Sequence, residues 1–131
     1  MKMNFTFLLP LFLLFACAKE EPLPNPPASA FAELEVTVSF CDVQADPFCQ
    51  TSLTPVPGAE VYLFEHEQFR DEGTHIAFHG TANAAGKVFF PTLEKQEYWL
   101  SIIVPDGRSK KDFAKTSIRA RTFMPVIFEI Q

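Results

Sequence analysis

Apolar and polar residues alternate along most of the chain beyond residue 33. Leu34, Val36, Val38 and Phe40 fall at every second position, the period of a strand with one buried face. Val61 and Leu63 place another strand over residues 59–65. Ile76 and Phe78 begin a third, ending near Thr81. Asn83-Ala84-Ala85-Gly86 supplies residues that tolerate positive φ, so it predicts a turn, after which residues 87–90 return as the paired strand. Tyr98, Leu100, Ile102 and Val104 alternate again. Met124, Val126, Phe128 and Ile130 share one face of a last strand. Pro125 removes a ladder donor there, so that strand lies at an edge or starts after Pro125. Only residues 69–73 and 112–116 have room for a helical turn. Short strands separated by turns predict an all-β chain: one antiparallel sandwich of about seven strands over residues 33–131. Some 100 residues suit one compact domain.

The N-terminus follows a different pattern. Lys2 precedes an apolar run from Phe5 to Ala16, broken only by Thr6 and Pro10. A bilayer-spanning helix needs roughly 20 apolar residues, so this segment is too short to span. It fits the apolar region of an export signal. The run closes on Leu14-Phe15-Ala16-Cys17. That ending resembles a bacterial lipoprotein signal, with Phe15 bulkier than is usual after the Leu. The resemblance implies that residues 1–16 are removed and that Cys17 is acylated and becomes the new terminus. Acyl chains contribute about 0.8 kcal/mol per buried CH₂, and two or more give stable attachment. An uncleaved anchor and an ordinary signal peptide are the competing readings.

Pro22, Pro24, Pro26 and Pro27 then exclude a helix or a central strand from the linker, residues 17–32. At about 3.1 Å per residue, thirteen residues of extended chain span roughly 40 Å. Ala18-Lys19-Glu20-Glu21 resembles the charged export tag of surface lipoproteins in Bacteroidetes-type bacteria. This implies an outer-membrane protein on the cell surface, the periplasmic face being the alternative.

Charge narrows the partners. The whole chain carries a formal net charge of −5. Removing the signal takes away Lys2 alone and makes the balance more negative. Nucleic acid and an anionic membrane surface are therefore poor partners.

A second resemblance begins at Pro57-Gly58-Ala59-Glu60-Val61-Tyr62-Leu63 and continues through Thr81, Gly86-Lys87, Val88-Phe89-Phe90, Leu93 and Tyr98. It is similar to the carboxypeptidase regulatory-like, prealbumin-like sandwich domains, related to the B-type repeats of collagen adhesins. The resemblance implies an Ig-like or prealbumin-like sandwich and says little about activity. Gln96 stands where these domains usually carry Gly, and the loop over residues 64–74 is long and charged. Some adhesin repeats form a Lys–Asn/Asp crosslink. Residues 33–40 hold no Lys and residues 124–131 no Asn or Asp, so that bond is not expected. The chain also ends Phe128-Glu129-Ile130-Gln131, unlike the transthyretin-like hydrolases. Tyr98 is a candidate for a tyrosine-corner bond to nearby backbone, with simple core packing as the alternative.

Few residues suggest chemistry. With Cys17 acylated, Cys41 and Cys49 remain, and an oxidising compartment makes a disulfide the natural reading. It would close a short loop and contribute about 2–3 kcal/mol. His66, His75 and His79 are the only histidines. On one strand, His75 and His79 would stand about 13 Å apart, too far for a single zinc ion. No metal and no cofactor is expected, and no catalytic residue is assigned. Arg108, Lys110, Lys111, Lys115, Arg119 and Arg121 form a basic segment. It suits an acidic partner or lipopolysaccharide phosphates, or else is a solvated loop. Trp99 and Ile103 point away from the Tyr98–Leu100–Ile102 face and form a candidate binding strip, unless the 64–74 loop covers it.

The expectation is a lipid-anchored, non-enzymatic binding or scaffolding domain of the cell envelope, with an envelope protein or a glycan as partner. One alternative is an accessory subunit of an outer-membrane uptake or secretion complex. The other is a small metal-dependent enzyme built on His66, His75 and His79.

Overall fold

The structure, a computed structural model, describes residues 30–130. Cys17, the signal segment and the Pro-rich stretch to residue 29 lie outside the described residues. The element order is β1 (Ala32–Cys41), β2 (Leu53–Pro55), β3 (Glu60–Phe64), α1 (Glu67–Glu72), β4 (Phe78–Thr81), β5 (Lys87–Leu93), β6 (Glu97–Ile103), β7 (Ser109–Lys115) and β8 (Arg121–Glu129).

The strands form two four-stranded sheets. In the first, β1 is central. β8 runs along one side of it, in register from Glu33↔Arg121 to Cys41↔Glu129. The other side is shared by β5, against Ala32–Thr37, and β2, against Ser39–Cys41. The second sheet has the order β4-β3-β6-β7, antiparallel throughout. The alternation seen in the sequence packs the two together. Leu34, Val36 and Val38 of β1, Val61 and Leu63 of β3, and Tyr98, Leu100 and Ile102 of β6 are all buried. Val126 and Phe128 close the core from β8. Burying each such side chain contributes roughly 1.5–3 kcal/mol relative to exposure.

The architecture is the expected β-sandwich, with differences in its pairing. β8 runs parallel to β1, not antiparallel. Among the described residues it pairs with no strand on its far side, so Pro125 does sit in an edge strand, within β8 rather than before it. Ile130 lies beyond the strand and is exposed. The turn over residues 83–86 forms, with Gly86 N–H donating to the Asn83 carbonyl, but it joins two sheets instead of closing a hairpin. β4 pairs with β3, while β5 crosses to β1. Ile76 precedes β4 and is half exposed. Residues 112–116, expected to be free for a helical turn, belong mostly to β7, and the short β2 raises the strand count to eight.

Three local devices hold the ends of the sandwich. Cys41 and Cys49 form a disulfide across a separation of eight residues, with their Cα atoms 5.7 Å apart. The buried Asp46 inside that loop accepts hydrogen bonds from the backbone N–H groups of Thr51 (2.6 Å) and Ser52 (2.9 Å). These bonds, led by Thr51, favour the charged carboxylate and hold its pKa below the ordinary aspartate range. The Tyr98 hydroxyl accepts a hydrogen bond from Lys95 N–H at 3.1 Å, the backbone contact of a tyrosine corner. Burial pushes the Tyr98 pKa up.

Candidate functional site

The outer face of the second sheet carries Trp99, Ser101 and Ile103 of β6, in register with Phe113, Lys111 and Ser109 of β7. Tyr62 and Phe64 of β3 flank them on the other side. α1 packs over this face. Arg70 donates from Nη1 to the Asp112 carbonyl at 3.0 Å, and Asp71 pairs with Lys111 Nζ at 2.9 Å. The Lys111 bond, with Arg70 adding to it, lowers the Asp71 pKa. Gly73 ends the helix in a left-handed conformation, φ +70°, and its N–H donates to the Arg70 carbonyl.

The helix therefore divides the strip expected from sequence. Ile103 lines a cleft of about 280 Å³ with Tyr62, Phe64, Arg70, Ile76 and Ser101. Trp99 lines a separate cleft of about 390 Å³ with Glu65, His66, Lys95, Gln96 and Glu97. Its indole leans on the Phe113 ring, with centroids 5.0 Å apart. Trp99 was legible in the sequence as an outward residue. Of its five polar neighbours, Glu97 shares its strand and face, while Lys95 and Gln96 come from the preceding turn and Glu65 and His66 from the approach to α1, which strand parity does not reveal.

The turn beneath the Trp99 cleft is held from three directions. Thr116 donates from Oγ1 to the Lys95 carbonyl and from its backbone N–H to the Gln96 carbonyl, both at 2.9 Å. Lys95 N–H is taken by Tyr98. The backbone of Gln96, which lines the cleft with Trp99, is thus fixed.

The histidines do not converge. His66 and His75 pack on the same ring, Phe69, with centroids 5.0 and 4.4 Å from it. His79 stacks on Tyr62 at 4.4 Å, and its Nε2 is hydrogen-bonded to Glu60 Oε1. That bond is the main reason the Glu60 pKa is lowered. Among the described residues no three His, Cys, Asp or Glu side chains group closely enough to hold a metal ion.

Several side chains of the basic segment, though exposed, are engaged with the protein itself. Arg108 donates to the Glu129 carbonyl and pairs with Asp106. Its guanidinium lies 5.3 Å from the Phe40 ring centroid. Lys110 donates to the Ile127 carbonyl. Arg121 pairs with Glu33 and lies over Phe89, 4.3 Å from the ring centroid. These side chains occupy β7 and β8 and the turn before β7, not one solvated loop.

No protein-family model matches the chain, and no curated protein is similar to it in sequence. Solved structures do resemble its fold. A minor pilin of Streptococcus agalactiae superposes with a TM-score of 0.54 at 12% identity, covering 79% of this chain and 46% of the pilin. The chain thus spans about half the length of that protein. A Pseudomonas aeruginosa protein provisionally described as carbohydrate-binding gives a TM-score of 0.54 at 10% identity, covering 82% of this chain and all of that one. At such identities the likeness establishes a pilin-like β-sandwich fold. Among the described residues no helix is long and apolar enough to cross a membrane.

Proposed function

We propose that this chain is a lipid-anchored protein of the bacterial cell envelope whose sandwich binds or scaffolds a partner without catalysing a reaction. The observation that carries this reading is the order of parts. A short apolar segment ends at Cys17, a proline-rich stretch follows, and a sandwich begins at Ala32. Cys17 takes the lipid, and Ala18-Lys19-Glu20-Glu21 favours the outer face of the outer membrane. The solved structures with this fold include a pilin and a protein provisionally described as carbohydrate-binding, which supports a binding role at the surface. The histidines support the non-catalytic part, since they do not converge: His75 stacks on Phe69, and His79 is held by Tyr62 and Glu60.

Growth with an alkyne-tagged palmitate tests the anchor. The expected result is label on the parent chain and none on Cys17→Ser, with the variant moving from the membrane to the soluble fraction. An unlabelled parent protein shed into the medium would overturn the reading. Protease treatment of intact cells then distinguishes the outer face from the periplasmic one.

One observation favours an accessory subunit of an uptake or secretion complex. Phe89 and Phe123 are both exposed and stand in register on either side of Glu35. Photo-crosslinking from position 123 in intact cells would give a discrete membrane-protein adduct for such a subunit and none for a free-standing binder.

A further inference from the structure

We infer that the Trp99 cleft is a saccharide-binding site, and this rests on the binding role proposed above. The first reason is chemical. A sugar presents a C–H face that stacks on an aromatic ring and a rim of hydroxyls that both donate and accept. The cleft offers the matching groups: the half-buried indole of Trp99, with Glu65, His66, Lys95, Gln96 and Glu97 around it. Carboxylates accept, ammonium and indole N–H donate, and amide and imidazole do both.

The second reason is that these groups are uncommitted. Other charged side chains on this side of the protein are engaged with one another. Arg70, Asp71 and Lys111 form one network, and Glu60 is held by His79 and Thr81. The polar ends of Glu65, Lys95, Gln96 and Glu97 and the indole N–H have no hydrogen-bond or ion-pair partner among the described residues. The one engagement of the His66 ring is its edge contact with Phe69.

The third reason is rigidity. Thr116 and Tyr98 fix the backbone of the Lys95–Gln96 turn through three hydrogen bonds. Phe113 backs the indole. Binding would order side chains only, which lowers its entropic cost. A volume of about 390 Å³ is within the roughly 300–1,000 Å³ typical of small-ligand clefts. Two carboxylates against one ammonium select against anionic ligands. A neutral glycan segment is the class that fits.

The chain has a single tryptophan, so its emission reports on this cleft alone. The full chain, held in a sugar-free zwitterionic detergent, is titrated with neutral gluco-, manno-, xylo- and chito-oligosaccharides up to 10 mM. The expected result is a saturable change in emission with at least one series. Gln96→Ala/Glu97→Ala keeps the tryptophan and changes only exposed side chains. It should weaken binding at least tenfold, while its circular dichroism matches the parent. No saturable response to any series overturns the inference, as does equal binding by the double variant. A response to calcium or zinc alone overturns it too. If palmitate labelling succeeds and sugar titration fails, only the ligand assignment falls; if labelling fails and sugars bind, only the anchor does.

Discussion

Lys110 Nζ, on β7, donates a hydrogen bond to the carbonyl of Ile127 on β8, tying the edge of one sheet to the edge of the other. Arg108 does the same two residues along, reaching the Glu129 carbonyl at 2.5 Å. The register explains why these carbonyls are free. Ile130 N–H turns toward β1 and bonds the Cys41 carbonyl, so the odd-numbered residues of β8 face outward. Pro125 is one of them, and it has no N–H to offer. An open edge that would accept another strand is thus blunted at Pro125, Ile127 and Glu129. Arg108→Met/Lys110→Met keeps the aliphatic stems over Phe128 and Phe40 but removes both donors. The expected outcome is greater self-association than the parent at equal concentration, read by sedimentation velocity. An unchanged distribution would mean that these bonds do not guard the edge.

Gly86 should tolerate no side chain. Its φ is +76°, and a Cβ would stand 2.5 Å from the Val38 carbonyl oxygen and 3.0 Å from Val56 N. Both neighbours are backbone and cannot swing away. Gly86→Ala should cost about 2–3 kcal/mol. Urea unfolding should show a lower midpoint with an unchanged slope.

The Tyr98 hydroxyl should matter to the neighbouring turn more than to the core. Tyr98→Phe keeps the ring and leaves Lys95 N–H without its acceptor. A loss of about 1 kcal/mol is expected. Amide exchange at Lys95 should accelerate well beyond what that global loss explains, whereas simple core packing would leave it in step with the rest.

The disulfide loop should give the protein part of its acid sensitivity. Asp46 has a lowered pKa in the folded state, so its contribution is fully present above the ordinary aspartate value near 3.9. It is lost as pH falls through the lower folded value. Asp46→Asn should flatten the stability profile below about pH 4 while leaving its shape near neutrality unchanged. Replacing Cys41 and Cys49 by Ala should remove about 2–3 kcal/mol by the loop-entropy model. Urea titrations across pH measure both.

Much of the fold was legible because burial follows period two. Leu34, Val36 and Val38 of β1, Val61 and Leu63 of β3, and Tyr98, Leu100 and Ile102 of β6 were readable from alternation alone, but the period breaks after Val38, where Ser39 and Cys41 are buried and Phe40, expected on the buried face, is only partly so. β7 was not, because Ser109-Lys110-Lys111-Asp112-Phe113-Ala114-Lys115 buries only Ala114. Its inward positions 110 and 112 are charged, which edge placement permits. The Asn83–Gly86 turn was recognised, but local turn chemistry is the same whether the next strand pairs or crosses to the other sheet. The parallel β1–β8 pair joins segments some 90 residues apart, and no local pattern encodes that. At the site, the outward placement of Trp99 follows from strand parity. The division of the strip by α1 depends on Arg70 reaching Asp112 from 42 residues away.

Ala32 stands opposite Leu93, only two residues before Lys95. The polypeptide therefore enters the sandwich at the end that bears the indole and its polar surround. For a protein moored by its N-terminus, that end is the underside. Under the anchoring proposed above, the length of chain ahead of β1 would set how much room a ligand has to reach Trp99.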